Sequence, residues 1–437
     1  MTTRRRPLRS PLVLLTVLAA AATACGSSGG DDGAQPEDGG ASFEGRGPIT
    51  YVQGRDTTGT VQEQIDRWNE AHPDEEVTLV ELPEDADAQR QQMIQNAETE
   101  SDAYTVLSLD VVWTSEFAAH QWIDPLPAEE FPLDEMLAPT VETAKYRDTL
   151  YAVPQTSDGG LLYYRTDLLE AAGIAEPPGT WAEMREACDA VLALPEAEGM
   201  SCYAGQHEKY EGLTVNFAEA VNSAGGVITD DSGAPDVDTP EAREGLDFLV
   251  QAFEDGTIPR DGITFKEEEG RRAFQGGDLV FMRQWPYMYS LASATDGSSE
   301  VAGAFAVAPL PGLDGPGSSS LGGHNLALSS FAENKATAID FMKFFSNEEN
   351  ARTNVEITSV APAYAALYDD PELTAQYPYL PELKESILNA VPRPRVVEYG
   401  QVTSAIQEEA YAALTGDKST GQALADLQET LLQYTSQ

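Results

Sequence analysis

Two spacings of apolar residues alternate along most of this chain. From Ile49 a short apolar run gives way to apolar positions at helical spacing over 61–72, then to a second apolar run over 77–82, the order strand, helix, strand. A further helical pattern covers 87–98, and Tyr104-Thr-Val-Leu-Ser-Leu-Asp110-Val-Val-Trp113 predicts a buried strand that ends in a polar loop. Leu161-Leu-Tyr-Tyr164 is strand-like, Thr166 caps a helix after it, and 180–194 predicts an amphipathic helix starting at Thr180. The apolar stretch 301–309 is strand-like and stops at a Pro- and Gly-rich turn over 309–317, with helices predicted over 334–345, 402–414 and 421–434. Strands and helices in alternation define an α/β body, and no internal repeat interrupts it.

The amino terminus follows a different pattern. Arg4, Arg5, Arg6 and Arg9 precede an apolar run over 11–24 that ends in Ala22-Thr23-Ala24-Cys25-Gly26. That run falls short of the ~20 apolar residues a membrane span needs, and a charged start, an apolar centre and a small-residue cleavage site read as an export signal over 1–24. Cys25 directly after Ala-Thr-Ala suggests a bacterial lipoprotein, with Cys25 the lipidated first residue of the mature chain. Lipoprotein signals usually carry Leu where Ala22 stands, so an ordinary secretory signal followed by an incidental cysteine is the other reading. Several acyl chains on one cysteine would hold the protein at the outer face of the cell membrane. Residues 25–47, rich in Gly, Ser and acid, read as a lipidated cysteine and flexible tether.

Charge narrows the partners. Without residues 1–24 the chain holds 22 basic against 73 acidic residues, a formal charge of −51. Such a surface repels nucleic acid and anionic lipid, and otherwise serves solubility. A length of 437 residues accommodates two ordinary cores, hence two lobes. Cys188 and Cys202, in an exported chain, read as a structural disulfide rather than a metal site; closing a loop of ~15 residues is worth about 3 kcal/mol.

Several chemistries find no motif. His72, His120, His207 and His324 do not share a zinc-ligand spacing, Gly26-Ser-Ser28-Gly-Gly30 mimics a nucleophile elbow but lies in the tether, and no phosphate-cradling Gly-rich loop occurs. No cofactor and no metal are expected. With 73 acids, chance carboxylate pairs are unavoidable, so an exported glycoside hydrolase stays open as a rival. What remains is aromatics in polar loops, carboxylates at strand ends and an Arg between prolines, the inventory of a sugar site: rings stack on sugar C–H faces, while Asp, Glu and Arg meet hydroxyl rims. A cleft rich in acid and aromatics could also take a polyamine.

From about residue 48 onward the chain resembles the solute-binding lipoproteins of ABC importers, in their trehalose/maltose-binding branch. The resemblance is carried by Asp110-Val-Val-Trp-Thr-Ser-Glu-Phe-Ala-Ala119, Tyr151-Ala-Val-Pro154, Asp158-Gly-Gly-Leu-Leu-Tyr-Tyr-Arg-Thr-Asp-Leu-Leu169, Tyr203-Ala-Gly-Gln206, Tyr210-Glu-Gly-Leu-Thr-Val-Asn216, Trp285-Pro-Tyr287, Leu321-Gly-Gly-His-Asn-Leu-Ala-Leu328 and Arg393-Pro394, in that order. It implies a two-lobed periplasmic-binding-protein-like fold of type II, with a hinge crossed three times, near 153–158, 308–312 and 360–364. The amino-terminal lobe would hold 48–155 plus 311–361, the carboxyl-terminal lobe 156–310 plus 362–437. A sugar ligand would draw the lobes of a monomer together, and membrane permease subunits would read the closed form. The work implied is capture and delivery, not catalysis.

The same motifs select candidate ligand contacts. Asp110 ends a strand and would point into the cleft, unless it caps the following helix. Asp158 lies in the first hinge crossing. Trp285 and Tyr287 flank Pro286 and would stack on sugar. Gly323, with Gly322, would admit ligand close to the backbone, and His324 stands where the family often has Trp, which leaves the sugar class intact but opens the exact preference. Arg393 would fork two hydroxyls, with Arg395 beside it as a decoy, unless in so acidic a chain either simply pairs with a carboxylate. Arg90 matches the place of an amino-terminal-lobe arginine, and 56–59 forms the first strand-to-helix loop. Trp113, Gln206, Glu211 and Asn216 read as mainly structural.

Overall fold

The computed structural model describes residues 43–56, 59–230 and 233–434; the export signal, Cys25 and the tether up to residue 42 lie outside the described residues. The ordered chain opens as the hydrophobic pattern predicts, with β1 (Ile49–Gly54), α1 (Thr60–Ala71), β2 (Val77–Leu82), α2 (Ala86–Glu98) and β3 (Val106–Asp110). β1 pairs in parallel with both β2 and β3. Asp85 caps α2 through Ala88 N, as a short acid before a helix should.

After β3 the polar stretch, read as a loop or as a helix from Ser115 onward, folds as a short helix, α3 (Thr114–Ala119), in which Thr114, Ser115 and Glu116 are buried together with Phe117. Its polar residues leave both open in isolation. Burial against the sheet, which only the folded chain supplies, decides for the helix.

The chain continues through β4 (Ala152–Pro154), β5 (Asp158–Gly159), β6 (Leu161–Arg165), α4 (Trp181–Leu192), β7 (Ser201–Ala204), α5 (Glu211–Ser223), α6 (Pro240–Glu254), α7 (Glu267–Gln275), β8 (Leu279–Gln284), β9 (Phe305–Ala308), β10 (Leu321–Gly322), β11 (His324–Leu328), α8 (Lys335–Phe345) and α9 (Glu348–Thr358), and ends with α10 (Tyr399–Leu414) and α11 (Thr420–Tyr434). α4 begins at Thr180 as predicted, with a complete capping box: Thr180 Oγ1 accepts from Glu183 N, and Glu183 accepts from Thr180 N. Cys188 of α4 and Cys202 of β7 form a disulfide, their Cα atoms 5.4 Å apart.

The strands form a five-stranded sheet in the order β2-β1-β3-β11-β4 and a four-stranded sheet in the order β9-β6-β8-β7. These are the centres of two lobes. Tyr51, Phe117, Phe341 and Phe345 belong to the core on the first sheet; Leu213, Phe217, Phe281 and Leu424 belong to that on the second, which α10 and α11 complete by packing on α5 and α6. Three segments run between the sheets. One follows β4, one follows β9 and passes through β10, and one follows α9, where Pro362 bridges Thr156 and Tyr364 bridges Met136. β5 and β10, from the first two segments, pair with each other as a small antiparallel ribbon between the sheets.

Candidate ligand-binding cleft

Strand register does most of the gathering. In the β3–β11 pair Asp110 lies opposite His324, and in the β5–β10 pair Gly322 lies opposite Asp158. Two carboxylates, a glycine pair and an imidazole from distant stretches of chain therefore meet at one point. Gly323 has φ +112°, and a Cβ there would collide with Thr156 O, so only glycine fits. At Gly322 a Cβ would come within 2.9 Å of Cζ3 of Trp285, which leaves β8 with its ring against this glycine. Tyr287, two residues on, donates its hydroxyl to Glu268 at 2.9 Å.

Arg393 closes the arrangement. Fully buried, it donates from Nη2 to Asp110 Oδ1 at 2.9 Å and from Nη1 to Glu211. Glu211, the first residue of α5, also accepts from the Tyr399 hydroxyl and, at 2.7 Å, from Thr403 Oγ1. Asp110 is thus no helix cap: α3 begins after Trp113 without a side-chain cap, and Asp110 accepts instead from Val112 N and from Arg393.

These residues line a cavity of about 240 Å³ that shares Asp158, Tyr287 and His324 with a second cavity of about 370 Å³, lined further out by Gln53, Asp56 and Gln64. Seven of the eight candidates (Asp110, Asp158, Trp285, Tyr287, Gly323, His324 and Arg393) line the smaller cavity. Arg90 does not: its Nε donates to Glu116 Oε2 at 2.8 Å, tying α2 to α3, and its guanidinium packs on Gly400. Arg395 donates to Glu142 O. Trp113 lines the smaller cavity while almost wholly buried, and Gln206 and Asn216 bond to each other beneath it. Glu211 is the residue whose place in the site sequence reasoning missed. A Glu at a helix start is explained locally by the helix dipole, and that sufficient local reason hides the distant arginine.

The electrostatics separate the two aspartates. Asp110 is bound to Arg393, whereas the half-buried Asp158 carboxylate accepts no hydrogen bond from a described side chain; burial, aided by the charge of Asp110 and opposed by Arg283, pushes it up to about 7. Burial likewise raises the Glu211 carboxyl, against the pull of Arg393, and desolvation lowers the imidazole of His324, which is the exposed first residue of β11 and lines the cleft. Because Asp158 holds its proton more tightly when folded than unfolded, it contributes a stability that falls as pH rises from about 4 to about 7 and stays flat above. Asp158→Asn is therefore expected to melt higher than the parent at pH 8, with the difference vanishing near pH 4; a pH-independent difference in thermal melts would contradict this.

Two α/β lobes around a cleft lined by aromatic faces, an arginine fork and an unengaged carboxylate define a ligand-capturing protein. The chain belongs to the bacterial extracellular solute-binding proteins, whose family profile matches residues 54–352. It is 32% identical over 367 residues, 81% of this chain and 86% of the relative, to a probable ABC transporter-binding protein of Deinococcus radiodurans. It is also 25% identical over 391 residues, 83% of this chain and 87% of the relative, to a mannitol-binding protein of Pseudomonas aeruginosa. Among solved structures it resembles maltose-bound MalE3 of T. maritima at 33% identity and TM-score 0.83, covering 88% of this chain and 98% of that one. The protein is thus an extracellular solute receptor that serves an ABC importer and its permease. The glycoside hydrolase reading falls, because the family and these relatives are binding proteins.

Proposed function

We propose that the cleft captures a neutral sugar, a disaccharide or short oligosaccharide of trehalose or maltose type, with Trp285 and Tyr287 offering ring faces, Asp158 and His324 meeting hydroxyls, and Arg393 with Asp110 holding one end. The amino-terminal lobe of 48–155 plus 311–361 and the carboxyl-terminal lobe of 156–310 plus 362–437 close on it. The chain acts as a monomer tethered by lipid on Cys25. The observation that carries the reading is the side-by-side placement of a half-buried tryptophan and an unengaged carboxylate in one cavity, which suits a ring with an apolar face and a hydroxyl rim. Support also comes from the maltose of the T. maritima structure and the mannitol of the Pseudomonas protein's name, one a neutral disaccharide and the other a neutral sugar alcohol.

Calorimetric titration with trehalose, maltose, mannitol and spermidine at low and high salt tests this. Saturable binding of a sugar, indifferent to salt, is the expected result; binding of spermidine alone, weakened by salt, would establish a polyamine receptor instead. A sugar hydroxyl donated to Asp158 favours its ionised form. Affinity is therefore expected to rise between pH 6 and pH 8, and Asp158→Asn to flatten that profile.

A further inference from the structure

Beside the cleft lies a buried ionic group that lines neither of its two cavities. Arg283, on β8 and 1% exposed, donates from Nε and Nη2 to Glu219 Oε2 and Oε1 at 2.7 and 2.5 Å, and from Nη1 to Gln206 Oε1 at 3.2 Å. Glu219 is in turn held by Ser320 N at 3.1 Å. The guanidinium carbon of Arg283 sits 3.8 Å from the ring centroid of Trp285. Gly160 makes room for the pair, since a Cβ there would fall 2.7 Å from Arg283 Nη2 and 2.8 Å from Glu219 Oε1. The indole of Trp285 is therefore backed by a fixed cation and flanked by Gly322, against which a Cβ would not fit.

We propose that Arg283, clamped by Glu219, is a positioning residue for ligand: it holds the indole of Trp285 in the plane against which a sugar ring stacks. The proposal rests on the reading of the cleft as a sugar site. Stability alone does not account for such a pair, because a buried ion pair is commonly replaceable by apolar side chains without loss. A guanidinium locked by a carboxylate fork is rigid where an alkyl side chain would rotate, and a ring held in place before ligand arrives loses less freedom on binding. The pair thus works through Trp285 and touches no ligand itself.

The test is the double variant Arg283→Met/Glu219→Gln, which leaves no buried charge unpaired, measured with maltose as probe. Three readouts are needed: the melting temperature, the anisotropy of Trp285 emission in the unliganded protein (parent minus Trp285→Phe), and maltose affinity with and without Trp285→Ala. The expected result is lowered Trp285 anisotropy and an affinity loss of about three- to tenfold that disappears in the Trp285→Ala background. A fall in melting temperature with unchanged anisotropy and affinity, or the same affinity loss whether or not Trp285 is present, overturns the proposal. Should the double variant not fold, Arg283→Lys keeps the charge, removes the fork, and is expected to lower both the Trp285 anisotropy and the maltose affinity, the affinity loss again disappearing in the Trp285→Ala background. A parent protein indifferent to maltose and the other sugars would overturn the sugar reading, and the anisotropy would then decide the positioning role by itself.

Discussion

Arg393→Met is expected to destabilise the protein by about 3–5 kcal/mol at neutral pH, the range found when one partner of a buried ion pair is removed. The guanidinium is the cation shared by Asp110 and Glu211, which come from different lobes and stand 283 and 182 positions from it in sequence. Without it Glu211 keeps, among the described side chains, the hydroxyls of Tyr399 and Thr403, and its charge must be buried or neutralised. Burial already raises the Glu211 carboxyl in the parent, so the variant binds a proton more tightly still when folded. Its deficit should therefore shrink as pH falls from 7.5 towards 5, and Glu211→Gln added to Arg393→Met should recover part of the loss. Denaturant unfolding at the two pH values measures both. A deficit that does not change with pH would mean that the guanidinium packs rather than compensates charge.

Trp285→Ala is expected to weaken sugar binding by about 2 kcal/mol or more, on the order of thirtyfold, as truncation of a central aromatic does in a desolvated site. The side chain is half-buried, with one contact already made to Arg283 and another to Gly322, so its removal vacates a wall of the smaller cavity. Stability should change less than affinity, because the ring lies in a cleft and outside both cores. Titration of the variant with whichever sugar the parent binds gives the answer; affinity within a factor of about two of the parent would remove Trp285 from the site.

Local features of this chain are legible in its sequence. The capping box at Thr180 and the strand that ends at Asp110 are marked by the pattern of neighbouring residues, and each is found in place. β8 is not legible in this way. Its apolar run is broken by Arg283 and Gln284, which look exposed in isolation, yet both are fully buried because Glu219, Gln206 and Glu267 satisfy them. The burial of α3 is hidden for the same reason, its polar residues being paired inside the fold, with Arg90 on Glu116 and Asn325 on Thr114.

The sequence by itself determined the α/β order of elements, the family, the paired cysteines and seven residues that the fold brings to one cavity, because periodicity, capping and motif are properties of neighbouring residues. Tertiary structure alone decided which carboxylates are engaged and which is open. Glu211 rather than solvent receives Arg393, Asp158 is left without a donor among the described side chains, and Arg283 lies under Trp285, since each outcome depends on strand register and lobe packing that set side by side residues far apart in the chain.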